Sequence, residues 1–188
     1  MTVTDTENGG LYVERWRLDP AFSAINFTIP QIGRISLKGH FGKVAGYFET
    51  DDGAWLTASV EIRVDVGSLV TGDAMIDAEA TSPRFLDALG HPDIIFESRE
   101  VESIQDDHIV LTGDLAIRGV THPIRIGVDF VGRARDLAGN DRMSWELSTS
   151  VSRSAYGLEW YPALENVAGF IIGDAIDITG EVEFVRQI

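Results

Sequence analysis

Cysteine is absent from the 188-residue sequence, so neither a disulfide framework nor a thiolate metal site is open to it. Basic residues are scarce as well: fifteen lysines and arginines stand against thirty aspartates and glutamates, a formal net charge of -15. That balance argues against a nucleic-acid backbone or an anionic membrane surface as a partner, since both need a basic patch. Only Lys38 and Lys43 are lysines, which reflects genome composition and not function. No stretch approaches the ~20 consecutive apolar residues of a membrane-spanning helix. Met1 to Gly10 lacks a positive start followed by an apolar run, so no signal peptide is expected and the expected location is cytoplasmic. The histidines, His40, His91, His108 and His122, show neither the i, i+2 nor the i, i+4 spacing of a metal pair. Nucleophile-elbow, P-loop and dinucleotide fingerprints are missing too, so no catalytic residue, metal or cofactor is expected.

What the chain does have is alternation. From His108 to Phe130, Ile109, Leu111, Leu115 and Ile117 share one parity, with Gly113 among them, and His108, Thr112, Asp114 and Arg118 share the other. After Gly119-Val120-Thr121 the pattern resumes with Ile124, Ile126, Val128 and Phe130. A period of two on both sides of a glycine-containing turn is a β-hairpin with one buried face. Such a face needs further strands to cover it.

Those strands are present along the chain. Residues 1–12 read as a loose arm and 13–188 as a single domain. Trp16, Leu18, Ile25, Phe27 and Ile29 form a first strand broken at Asp19-Pro20. The second runs from Ile35 to Phe48 and slips parity near Gly42-Lys43, as a β-bulge in a bent strand would. Leu56 to Val64, Ile94 to Val101, the two hairpin strands, Met143 to Val151 and Ile176 to Phe184 complete eight. Between the third and fourth strands the period changes. Asp73 caps a turn holding Ala74, Met75, Ile76 and Ala78, and Ser82-Pro83 through Gly90 carries the better set of helix start and stop signals. One or two short helices are expected there.

Eight sequential antiparallel strands close into a barrel that holds side chains or one small ligand. In such a meander the connections at 30–34, 67–93, 119–121 and 152–173 share one rim, and those at 51–54, 103–107 and 134–141 share the other. The long and aromatic segments therefore gather at one end as a short helical lid. Gly39, Gly46, Ala58, Gly113 and Gly180 lie on or near the inward parity, where small side chains leave room or ease strand bending. Arg153 opens the last long loop. It suits either a phosphate, carbonyl or phenol on a ligand, or a salt bridge to Glu159 or Asp87.

The sequence also resembles the bacterial YceI-like family over nearly its whole length, from Trp16 to Glu183. The resemblance is carried by Trp16, Leu18-Asp19-Pro20, Ser23 and Phe27, by Gly39 and Phe41, by Ser68 and Thr71-Gly72, and by Asp77, Ser82-Pro83 and Phe85-Leu86-Asp87. It continues through Pro92, Ile94, Phe96 and Ser98, the block Thr112-Gly113-Asp114-Leu115 with Ile117-Arg118-Gly119-Val120-Thr121 and Pro123, then Arg153, Gly157, Ile172-Gly173-Asp174 and Ile176. The chain departs from the family pattern at Phe22, at Glu79-Ala80-Thr81 and at Ala155. The resemblance implies a lipocalin-like all-β barrel, eight-stranded and antiparallel, forming a homodimer and binding a long isoprenoid chain in an internal tunnel.

The leading reading is a non-catalytic lipid carrier. Phe27, Ile29, Phe48, Phe96, Leu115, Ile126 and Trp145 line an apolar tunnel, Met75, Phe85, Leu86, Trp160 and Tyr161 gate it, and Arg153 and Tyr156 stand at the mouth. Two alternatives use the same barrel. One is an enzyme acting on a hydrophobic substrate, with Arg153, Tyr156 or His91 as proton carriers, and the other is a packed stress-response module that binds a protein partner.

Overall fold

The computed structural model describes residues 13–32, 36–51, 54–159 and 171–187, so the arm expected over residues 1–12 lies outside it. In chain order come β1 (Val13–Leu18), β2 (Ala24–Ile29), β3 (Gln31–Ile32), β4 (Leu37–Phe41), β5 (Val44–Asp51), β6 (Ala54–Asp65) and β7 (Leu69–Val70). There follow α1 (Ala74–Ala80), β8 (Asp93–Gln105), β9 (His108–Ile117), β10 (Val120–Arg135), β11 (Asp141–Ser152), β12 (Ile171–Ile172) and β13 (Ala175–Arg186). The long strands pair antiparallel in the order β5, β6, β8, β9, β10, β11, β13, and β13 closes the ring onto both β1 and β2. The result is an eight-staved antiparallel barrel.

Two staves are bent, and the sequence shows why. β1 and β2 form one stave interrupted by a 3-10 turn at Pro20–Phe22, which the Asp19 side chain caps by accepting from the Ala21 N–H at 3.1 Å. β4 and β5 form its neighbour, and both Phe41 and Val44 point inward across the two-residue break at Gly42-Lys43. That break is the parity slip of the sequence, and it sits beside the bend in the first stave. Ser23 and Ser68 supply hydroxyls that accept the backbone N–H groups of Glu183 and Lys43, both at 3.0 Å, where the regular ladder gives out.

The β9–β10 turn is shorter than the glycine pattern suggests. It consists of Arg118 (φ 50) and Gly119 (φ 75), with Ile117 opposite Val120. A two-residue turn of this hand needs positive φ at both central residues. Glycine adopts it without strain, whereas Arg118 is held there by its own guanidinium, which donates to the carbonyls of Pro83 at 2.8 Å and Gly157 at 3.4 Å. The same two bonds tie the lid segment and the 153–158 loop to one rim.

The lid differs from expectation in its helix. Asp73 accepts from the N–H groups of Met75 and Ile76 and starts α1, while 82–90 form turns and not a helix. There the N–H groups of Leu86 and Ala88 fold back onto the carbonyls of Ala80 and Thr81, and Asp87 adopts φ 54. Helical start signals therefore nucleate a single turn that the left-handed Asp87 ends.

Candidate functional site

Side chains from all eight staves meet around two apolar spaces on the barrel axis. The mouth chamber, about 130 Å³, is lined by Ile25, Phe27 and Ile29 of β2, Leu37 and Phe41 of β4, Ile94 of β8, Leu115 and Ile117 of β9, and Ile176 and Ile178 of β13, among others. Leu69, Ile76, Ala80, Phe85, Leu86 and Leu158 complete it from the lid and the last loop. The inner chamber, about 80 Å³, lies toward the other rim between Phe48, Trp55, Val101, Ile109, Leu111, Val128, Trp145, Val182 and Phe184. Ile62, Phe96, Ile126 and Leu147 border both spaces and form the wall between them.

The inner chamber is built from rings in contact. Phe48 stacks on Trp16 at 5.5 Å and meets Phe184 edge-on at 4.9 Å, and Trp145 meets Trp55 at 5.4 Å and Phe130 at 4.9 Å. Edge-to-face pairs of this kind are a favoured aromatic geometry. In the mouth chamber the polar lining residues are Asn26, Thr71 and Thr149, and none of the described lining residues of either chamber is titratable. An apolar cavity of roughly 150 Å³ stays dry and takes a benzene-sized guest, so a long ligand must use both spaces and spread their lining.

Inward glycines create this room in a different way from simple omission. Each is covered by a neighbour's side chain: Gly39 by the Phe27 ring, Gly46 by Ile62, Gly113 by the Phe96 ring, Gly180 by Ile25 and Leu147. Bulky side chains thus lie flat along the barrel wall, and the space remains near the axis.

Of the residues singled out in the sequence, Phe27, Ile29, Phe85, Leu86 and Leu115 border the mouth chamber, Phe48 and Trp145 the inner one, and Phe96 and Ile126 both. Three others belong elsewhere. Met75 is 66% exposed, because the helical period turns Ile76 and Ala80 of α1 toward the barrel instead. Arg153 reaches neither a ligand space nor Glu159 or Asp87; its guanidinium donates to the backbone carbonyls of Leu158 and Gly173, and its own N–H donates to the Asp174 carbonyl at 2.7 Å. It holds the closing loop in shape. Tyr156 is buried outside both chambers, its ring edge-on to His122 at 5.1 Å, while the His122 Nε2–H donates to the Ala155 carbonyl at 3.0 Å. Burial raises the Tyr156 pKa, and its hydroxyl finds no partner among the described residues. Trp160 and Tyr161 fall outside the described residues.

Sequence reasoning passed over Leu37, Phe41, Ile76, Leu158 and Trp55 as lining residues. Parity alone could have placed Phe41 inward, whereas Ile76 lies on a helix of seven residues, too short for its period to be read from the sequence, and Leu158 lies on an irregular segment where no period operates. Asp174 closes the rim from below: its carboxylate accepts from the Ser152 hydroxyl at 2.6 Å and the Ser154 N–H at 2.9 Å, which hold its pKa below the usual carboxylate value. Among the described residues no cluster of three or more histidines, aspartates and glutamates could hold a metal ion, and no helix is long and apolar enough to cross a membrane.

Comparison with known proteins agrees with this geometry. The model of the YceI-like domain family matches residues 16–184. A UPF0312 protein of Vibrio cholerae is 31% identical over 139 residues, 74% of each chain, and one of Azotobacter vinelandii is 30% identical over 165 residues, 87% of this chain and 81% of the relative. Among solved structures, Burkholderia cenocepacia BcnA superposes with a TM-score of 0.76 at 19% identity, covering 88% of this chain and 98% of that one. A polyisoprenoid-binding domain from Saccharophagus degradans superposes with a TM-score of 0.67 at 13% identity, covering 95% and 100%. At those identities the structural likeness speaks for the fold.

Proposed function

This chain belongs to the YceI-like domain family, and we propose that it binds a long-chain isoprenoid or similar amphiphilic lipid inside its barrel and holds or carries it without altering it. The observation that carries the reading is an interior of two adjoining chambers lined by apolar side chains and by no titratable group among the described residues. Burying a chain there gains ~0.8 kcal/mol per methylene, less the cost of ordering a flexible ligand and spreading the lining. Chains of many units therefore gain most. The polyisoprenoid-binding neighbour lends the same ligand class support through a shared fold.

Catalysis on a hydrophobic substrate has less behind it. Arg153 is engaged with backbone carbonyls, Tyr156 lies outside the chambers, and His91 packs at the rim against Gly119. A barrel packed solid for partner binding is disfavoured by the 130 Å³ mouth chamber. The assembly we expect is a homodimer, to be read by light scattering.

Native mass spectrometry of protein purified from its own host tests the carrier reading. An added mass matching a prenyl lipid is expected. A bare chain that also takes up no prenyl or fatty ligand afterwards would refute it.

A further inference from the structure

We infer that the inner chamber is a separate binding compartment for the far end of a prenyl chain, and that the wall of Ile62, Phe96, Ile126 and Leu147 decides which chain lengths reach it. The inference rests on the carrier reading above and adds to it a division of the tunnel.

Three of the four wall side chains lie across a glycine of an adjacent strand. A Cβ on Gly113 would stand 2.7 Å from Cε2 and Cζ of Phe96, one on Gly46 2.8 Å from Cδ1 of Ile62, and one on Gly180 3.0 Å from Cγ of Leu147. The wall is drawn back to the barrel surface because those positions carry no side chain. A passage between the chambers thus depends on glycines in three different strands, β5, β9 and β13.

The two sides of the wall also differ in chemistry. Branched aliphatic side chains dominate the mouth chamber, with Phe27, Phe41 and Phe85 among them, whereas rings make up a larger share of the inner one, where Phe48, Trp55, Trp145 and Phe184 gather. Dense ring surfaces offer many dispersion contacts to an unsaturated chain. A prenyl chain that ends before Phe96 gains only the mouth chamber. One that passes it gains the aromatic chamber too, so affinity rises in a step with length instead of evenly.

The test offers farnesol, with three isoprene units, and solanesol, with nine, each in detergent, to the wild-type protein and to Ile126→Phe and Ala58→Phe, with tryptophan fluorescence as the readout. Ile126→Phe narrows the wall, and Ala58→Phe fills the inner chamber beyond it. Neither touches a glycine recess, and circular dichroism checks that each variant folds. Solanesol binding weaker by about tenfold or more in both variants, with farnesol within about twofold of wild type in Ala58→Phe, whose site borders the inner chamber and not the mouth chamber, supports the inference. Folded variants that keep wild-type affinity for solanesol, or an Ala58→Phe variant that loses both prenols equally, overturn it while leaving the carrier reading in place. A wild-type protein that binds neither prenol overturns the carrier reading, and the compartment with it.

Discussion

The Asp77 carboxylate accepts two hydrogen bonds from Thr71, one from its backbone N–H at 2.7 Å and one from its hydroxyl at 2.6 Å. This pair fastens α1 to the end of β7, and the same helix presents Ile76 and Ala80 to the mouth chamber. Replacing Asp77 by Ala leaves a half-buried N–H without its acceptor, a loss of about 1–3 kcal/mol at that point. The expected result is faster release of a bound prenyl ligand, together with faster amide exchange over residues 74–80 in hydrogen–deuterium exchange. Unchanged exchange and release would show that the helix is not the gate.

Adjacent residues of that helix separate the roles further. Met75 faces solvent while Ile76 borders the chamber. Met75→Ala should leave prenyl affinity unchanged. Ile76→Ala, which removes lining surface, should weaken binding by about 1–2 kcal/mol, read by titration of the protein's fluorescence. Equal effects at both positions would contradict the orientation of the helix.

Much of this architecture is legible in the chain because period two is a strong signal wherever one face of a strand is buried. Ile109, Leu111, Leu115 and Ile117 share a face in the sequence and are buried together in the barrel. Legibility fails where side chains, and not periodicity, decide the backbone. Met75 and Ile76 look alike as apolar residues, and only the helix start set by Asp73 says which turns inward. Arg153 reads as a cation awaiting an anion, yet backbone carbonyls folded around it take up its donors. Motif residues such as Ser23, Ser68, Asp77 and Asp174 carry the resemblance to the family and prove to be bond partners for backbone at irregular points. None of these contacts follows from local sequence, because each joins segments distant along the chain or depends on a loop's path.

Acid should loosen the rim opposite the lid. The Asp136 carboxylate accepts from the Asn140 side chain at 3.0 Å, the Asn140 N–H at 2.9 Å and Arg142 Nε at 2.9 Å, and these bonds hold its pKa well below the usual carboxylate range. Arg142 also pairs with Asp19 at 2.9 Å and with Glu183, which joins the 136–141 loop to the first and last staves. A carboxyl with a lowered folded pKa contributes stability that is present above its unfolded value, ~3.9, and is lost as pH falls through the folded one. The urea midpoint is therefore expected to hold from pH 7 to about 5 and to fall below that. Asp136→Asn should lower the midpoint at neutral pH and flatten the acid slope. A wild-type midpoint that stays level down to about pH 3 would remove this account.

Tyr156 separates a structural aromatic from a proton carrier. It is 2% exposed, its hydroxyl meets no partner among the described residues, and it borders neither chamber. A buried hydroxyl without a hydrogen bond costs free energy, so Tyr156→Phe should match the wild type in stability or exceed it by about 1 kcal/mol, with unchanged prenyl affinity. Removing the ring is another matter. Tyr156→Ala takes away the surface packed on His122 and opens a void, at a cost of about 3–5 kcal/mol in urea unfolding. A Phe variant that folds normally but loses function would give the hydroxyl the chemical role that its burial argues against.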